Sequence, residues 1–159
     1  EITIDDIIGY DPGTFQSVQV IGETRSRGAE LGLSVSATDT LGLRFSAAYT
    51  NSQKPDAGGL GTMVREARVP RLQAGVTASW RPRAGLSLGA SVRHVRDTID
   101  VGNVVLDDYT LVGLTGRWQH SDTVEFFARV ENAGDEDYQT ISGYGTSGRA
   151  AYIGLKRSF

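Results

Sequence analysis

From residue 41 onward the chain alternates apolar and polar side chains with a period of two. Leu41, Leu43, Phe45, Ala47 and Tyr49 fall on one face of an extended segment, and Arg44, Ser46, Ala48 and Thr50 on the other. The pattern returns in Leu72, Ala74, Val76, Ala78 and Trp80, in Leu86, Leu88, Ala90 and Val92, in Val112, Leu114, Gly116 and Trp118, and in Val124, Phe126, Ala128 and Val130. An opening segment over residues 1–10, a long one from Phe15 to Ala37 and a closing one from Gly148 bring the expectation to about eight strands. No stretch carries a helical period. The connections alternate as well. Residues 36–42, 81–85 and 119–123 are tight turns rich in turn formers, whereas 52–70, 96–108 and 132–148 are long and polar; the first connection, Asp11 to Gly13, is short.

Composition changes this picture little. The 159 residues hold 39% hydrophobic and 22% charged residues, 20 glycines and 4 prolines, the profile of a turn-rich protein. No window approaches the run of ~18 apolar residues that a membrane helix needs, which excludes spanning helices but not spanning strands. A net charge of −3 with both signs interspersed gives no electrostatic case for nucleic acid. Without cysteine there are no disulfides or thiolate metal sites. The chain opens directly in the alternating EITIDDIIGY, with no initiator Met at position 1 and no signal-peptide pattern, and reads as a piece of a longer or processed chain.

Two architectures share this periodicity: a membrane barrel with its apolar face outward, and a soluble sandwich or lipocalin-like barrel with that face inward. Three features favour the first. The polar face is small and hydrophilic and carries the charges Glu30, Arg44, Arg81, Arg93, Arg117, Glu125, Arg129, Glu131 and Lys156, while the apolar face holds almost none. Tyr49, Trp80, Tyr109, Trp118, Tyr138, Tyr144 and Phe159 stand near strand ends, where amphipathic rings suit water–lipid boundaries. Short turns at one end and long loops at the other match an outer-membrane barrel.

The stretch VENAGDEDYQTISGYGTSGRAAYIGLKRSF then resembles the C-terminal end of TonB-dependent outer-membrane receptors, through Asn132, Asp135, Tyr138, Gly143, Tyr144, Gly148, Arg149 and the terminal Phe159. Ala133 and Gly134 replace the family's usual Leu and Phe, and Ser147 stands where Pro is common. TRSRGAELGLSVSATDTLGLRFSAAYTNS is similar to a hairpin of the same family, with Gly28 and Glu30 in its signature positions, and Arg68 and Pro70 resemble the lead into its next strand. Within the family, GYGTSGR leans toward cobalamin and ferric-siderophore receptors.

The resemblance implies an all-β fold: antiparallel up-and-down transmembrane strands, with residues 1–159 forming the C-terminal barrel segment of a larger receptor whose plug domain and N-terminal strands lie elsewhere. It implies active transport of a scarce large ligand, a ferric siderophore or cobalamin, across the outer membrane of a Gram-negative bacterium. TonB would couple energy through the missing N-terminal region. Outer-membrane lipid, the plug and remaining strands, and the barrel assembly machinery acting on the last strand are the other implied partners; no cofactor is implied. Ala151, Ile153, Leu155 and Phe159 would form the closing strand, and Arg157 departs from the family, which usually has an aromatic residue there.

For ligand contact the loops offer Arg65, Arg68, Asn103, Tyr144 and Arg149. Of the charges on the polar face, Glu30, Glu125, Arg129 and Glu131 are read as neutralising one another across neighbouring strands. His94 and His120, the only histidines, lack a nucleophile or metal-spaced cluster, so no enzyme is expected. Asp135, Glu136 and Asp137 lack the regular spacing of a calcium loop, leaving a solvated run as the reading. The alternatives are an autonomous eight-stranded outer-membrane barrel with a structural or adhesive role, and a soluble sandwich or lipocalin-like binding protein.

Overall fold

The computed structural model describes residues 1–11, 13–14, 16–56 and 62–159. Its strands are β1 (Ile2–Asp11), β2 (Gln16–Ser36), β3 (Leu41–Pro55), β4 (Met63–Arg65), β5 (Leu72–Arg83), β6 (Leu86–Arg96), β7 (Thr98–Asp100), β8 (Val104–Leu106), β9 (Tyr109–Ser121), β10 (Val124–Glu131) and β11 (Ala150–Arg157). The only helical element among the described residues is a 3-10 turn, Val101–Asn103, so no helix is long and apolar enough to cross a membrane. The expected start of the second strand at Phe15, and residues 57–61 of the first long loop, lie outside the described residues.

One sheet runs β1-β2-β3-β5-β6-β9-β10-β11, a meander in chain order, with the short β4 added to β3. All its pairings are antiparallel. Eight strands in this path match the eight periodic segments of the sequence. Register carries the sequence alternation across the sheet. Phe45 lies opposite Val76, Val76 opposite Val92 and Val92 opposite Val112. One residue along, Arg44, Thr77, Ser91 and Gly113 form the matching polar row. A slip of one residue would exchange the two faces, so the pattern fixes the pairing.

Among the described residues nothing forms a second layer against the apolar face. Val76, Leu88 and Phe126 are 39%, 37% and 40% exposed, so they do not share the dry centre that a sandwich requires. The buried apolar side chains are instead Val95, Ile99, Leu106 and Tyr109. All four belong to, or adjoin, the connection between β6 and β9, which places the only packed core of the described residues at the long-loop end.

Glycines and aromatic rings alternate on the polar face. Phe127 stands opposite Gly154, and its ring occupies the space that a Cβ at position 154 would need. Beside it, the Arg129 guanidinium lies 4.5 Å from the centroid of the Tyr152 ring.

Candidate functional site

The long connections were expected as open polar loops, and the structure builds them as a cross-braced cluster. The connection between β6 and β9 folds into its own hairpin: Thr98, Ile99 and Asp100 pair with Leu106, Val105 and Val104. Gly102 at φ 77° and Asn103 at φ 62° turn the chain between them, in the left-handed region that glycine and asparagine tolerate best. The signal was present in the sequence, since Ile99 and Val105 flank a Gly-Asn turn. In the first long loop, β4 extends the β3 edge, with Gln53 opposite Arg65.

Arginines of the first loop brace this hairpin. Arg65 Nη1 lies 2.5 Å from Asp97 Oδ1, and its Nη2 donates to the Asp97 carbonyl. Arg71 Nη1 reaches Asp97 Oδ2 at 3.2 Å, and the Arg71 amide donates to the Asp97 carbonyl at 3.1 Å. Arg68 Nε donates to Asp100 Oδ1 at 2.6 Å while its amide donates to the Ile99 carbonyl at 2.7 Å. Arg68 holds this position at φ 63°, a conformation unfavourable for a long side chain by ~1–2 kcal/mol. Arg96 and Asp108 close the base of the hairpin at 3.4 Å.

The third loop joins through the same carboxylate. Asp100, whose side chain is 4% exposed, accepts from the Val101 amide at 2.7 Å through Oδ1 and from the Ser142 amide at 2.6 Å through Oδ2. Three loops therefore meet on one aspartate. Asn132 organises the third loop from its start: its Nδ2 donates to the Glu136 carbonyl at 2.8 Å and its Oδ1 accepts from the Glu136 amide at 2.9 Å. Asp135 Oδ1 accepts from the Arg149 amide at 2.8 Å, so part of the acidic run serves the loop's own backbone. Tyr109 and Tyr138, expected near the water–lipid boundary, instead pack together with ring centroids 4.5 Å apart, Tyr109 being buried. Tyr109 shares the polar face through its pairing with Val95, which turns it away from the apolar side.

Two carboxyl groups of this cluster, Asp97 and Asp100, are favoured in their ionised form. Arg65's hydrogen bond keeps Asp97 below the ordinary aspartate range. The Ser142 and Val101 amides, followed by Arg68, do the same for Asp100.

The loop residues singled out in the sequence thus divide. Arg65 and Arg68 are committed to Asp97 and Asp100, whereas Asn103, Tyr144 and Arg149 are exposed, Tyr144 at 70%. The nine charged residues of the polar wall share one face. Glu30 lies opposite Ala48, Arg44 opposite Thr77, Arg93 opposite Gly75, Arg117 opposite Phe127, Glu125 opposite Lys156 and Glu131 opposite Ala150, while Arg81 and Arg129 continue the same alternation. The expected neutralisation across neighbouring strands is not what holds them. Among the described residues the one ion pair within this set is Arg129 with Glu131, 3.3 Å apart along the same strand. Polar and aromatic neighbours take up part of the set instead: Arg93 Nη2 donates to Gln73 Oε1 on the adjacent strand at 3.0 Å, and Arg129 lies over the Tyr152 ring. The two histidines do not meet each other: His94 Nδ1 lies 2.9 Å from Thr110 Oγ1, and His120 packs edge-on against Trp118. Ala151, Ile153 and Leu155 lie on the apolar face of β11, an edge strand whose one partner among the described residues is β10; Phe159, beyond it, is fully exposed.

An antiparallel meander with an exposed apolar face, a polar opposite face, tight turns at one end and braced loops at the other is the wall of an outer-membrane-type β-barrel. Residues 1–133 match the family described as TonB dependent receptor-like, beta-barrel, and the chain belongs to that family. The Rhizobactin receptor of Rhizobium meliloti is 40% identical over 72 residues, 44% of this chain and 9% of that protein. The Vitamin B12 transporter BtuB of Vibrio cholerae is 26% identical over 161 residues, 98% of this chain and 25% of that protein. The crystal structure of the siderophore receptor PiuA from Acinetobacter baumannii superposes with a TM-score of 0.70 at 21% identity, over 94% of this chain and 24% of that one. The chain thus spans a quarter or less of the length of these proteins.

Proposed function

We propose that this chain is the C-terminal wall of an outer-membrane active transporter in a Gram-negative bacterium, taking up a ferric siderophore or cobalamin with energy coupled through TonB. The observation that carries the reading is the division of labour in the sheet: family membership together with an apolar face left open for lipid and a polar face left open for a lumen. The nine wall charges face that lumen and the plug. Ala151, Ile153, Leu155 and Phe159 form the strand that meets the remaining barrel strands and is handled by the barrel assembly machinery. No catalytic step belongs to this function.

At the mouth, Asn103, Tyr144 and Arg149 contact the ligand, and Arg65 and Arg68 hold the loops that present them. The test uses the full-length receptor in a strain lacking it. Growth limited by iron or by cobalamin should return with the receptor and fail without TonB. Tyr144→Ala with Arg149→Ala should weaken ligand binding about tenfold with outer-membrane abundance unchanged. Growth that returns without TonB, or binding indifferent to both loop changes, overturns the reading.

A further inference from the structure

The apolar face carries one feature that transport does not use: a groove with a cation at its end. The ladder aligns Arg83, Leu86, Trp118, Phe126 and Leu155 in one row near the short turns. Behind them, toward the sheet centre, Gly116, Ala128 and Ile153 form the next row. Because positions 116 and 128 carry little or no side chain, the two rows enclose an open groove of about 690 Å³, lined by Leu86, Trp118, Phe126, Ile153 and Leu155. Its floor is flat: the Trp118 and Phe126 rings stack with centroids 5.7 Å apart and planes 26° apart. His120 closes the turn side, its ring centroid 5.0 Å from Trp118 and 6.1 Å from Phe126.

Arg157 stands two residues beyond Leu155 on the same face, ~7 Å further toward the short turns at strand rise. Its guanidinium lies 5.1 Å from the Phe159 ring centroid. No ion pair among the described residues includes it. An apolar protein surface laid on this groove would leave that charge uncompensated. A molecule joining a hydrocarbon chain to a phosphate satisfies both halves, since a guanidinium binds phosphate through paired donors.

We propose that this groove binds one anionic glycerophospholipid of the inner leaflet, an acyl chain over Trp118 and Phe126 and the headgroup phosphate on Arg157. The proposal rests on the membrane orientation argued above.

The test titrates the full-length receptor, purified in mild detergent, with phosphatidylglycerol and reads lipid retention by native mass spectrometry. One retained lipid is expected, with retention weakened about tenfold by Arg157→Gln and largely restored by Arg157→Lys. Gly116→Leu, which fills the groove where a Cβ meets only Leu88 at 3.6 Å, should weaken it too. Arg83→Gln, an equal charge change at the other end of the row, should leave retention within about twofold if the phosphate is bound by the Arg157 guanidinium itself. Equal losses in Arg157→Gln and Arg83→Gln would reveal diffuse rim charge and overturn the site, as would phosphatidylcholine retained equally well. Failure of the membrane orientation itself is read separately: a receptor that does not fractionate with outer membranes removes the basis of the proposal before any lipid is added.

Discussion

Asp100 Oδ2 accepts a hydrogen bond from the Ser142 amide at 2.6 Å across a separation of 42 residues, joining the tip of one long loop to the middle of another. The same carboxylate holds Arg68 of a third loop. The loops are therefore expected to behave as one body. Asp100→Ala should release all three, raising the rate of protease cleavage within residues 132–149 of the full-length receptor about tenfold. Cleavage unchanged from the parent would show that the loops hold without this hub.

The same cluster has a pH signature with a definite sign. The folded-state pKa values of Asp97 and Asp100 are depressed by their partners, so an opened loop binds protons more readily than the closed one. Their contribution is complete above the ordinary aspartate pKa of about 3.9 and is lost as pH falls through the depressed values. The amide proton resonances of Ser142 and Val101 should titrate together with a midpoint below that ordinary value. A midpoint at or above it would contradict the arrangement.

Adjacent residues on opposite faces separate the membrane reading from a soluble one. Val76→Arg places a charge at the middle of the apolar face and should cost about 2–4 kcal/mol of barrel stability. Thr77→Arg, one residue along on the polar face, should cost less than about 1 kcal/mol. Denaturant unfolding of the receptor in lipid measures both. Equal costs would place the two faces in similar surroundings.

Phe127 and Gly154 form a complementary pair on the polar face, where the ring occupies the space of the missing Cβ. Gly154→Val should therefore destabilise by about 1–3 kcal/mol through overpacking. Adding Phe127→Ala to it should recover much of that loss, because the clash disappears with the ring. Thermal unfolding of the single and double variants checks the coupling, and simple additivity would exclude it.

Much of this was legible in advance, for a physical reason. The eight strands of the meander, their face assignment and the tight turns follow from a two-residue period that those strands repeat, whereas the short β4, β7 and β8 lie in stretches read as loops. Resemblance carried by the Asn132 to Phe159 stretch then chose between barrel and sandwich, which periodicity alone leaves open. The loop cluster was less legible. Arg65 and Arg68 look like free ligand arms in sequence, because their partners Asp97 and Asp100 lie 32 residues away and no local rule brings them together. The charges of the polar wall were legible as one face but not as pairs: Glu125 lies opposite Lys156, yet the ion pair within the set among the described residues, Arg129 with Glu131, runs along one strand.

By itself, then, the order of side chains determined antiparallel strands with a greasy side and a wet side, because alternation and turn chemistry act between neighbours in the chain. Tertiary structure alone decided that the buried centre of the described residues sits at the long-loop end, that Asp100 gathers three loops, and that Arg157 stands beside an apolar groove with no ion-pair partner among the described residues. Each of these depends on residues far apart in sequence being carried together by strand register, and local patterning holds no record of distance across the sheet.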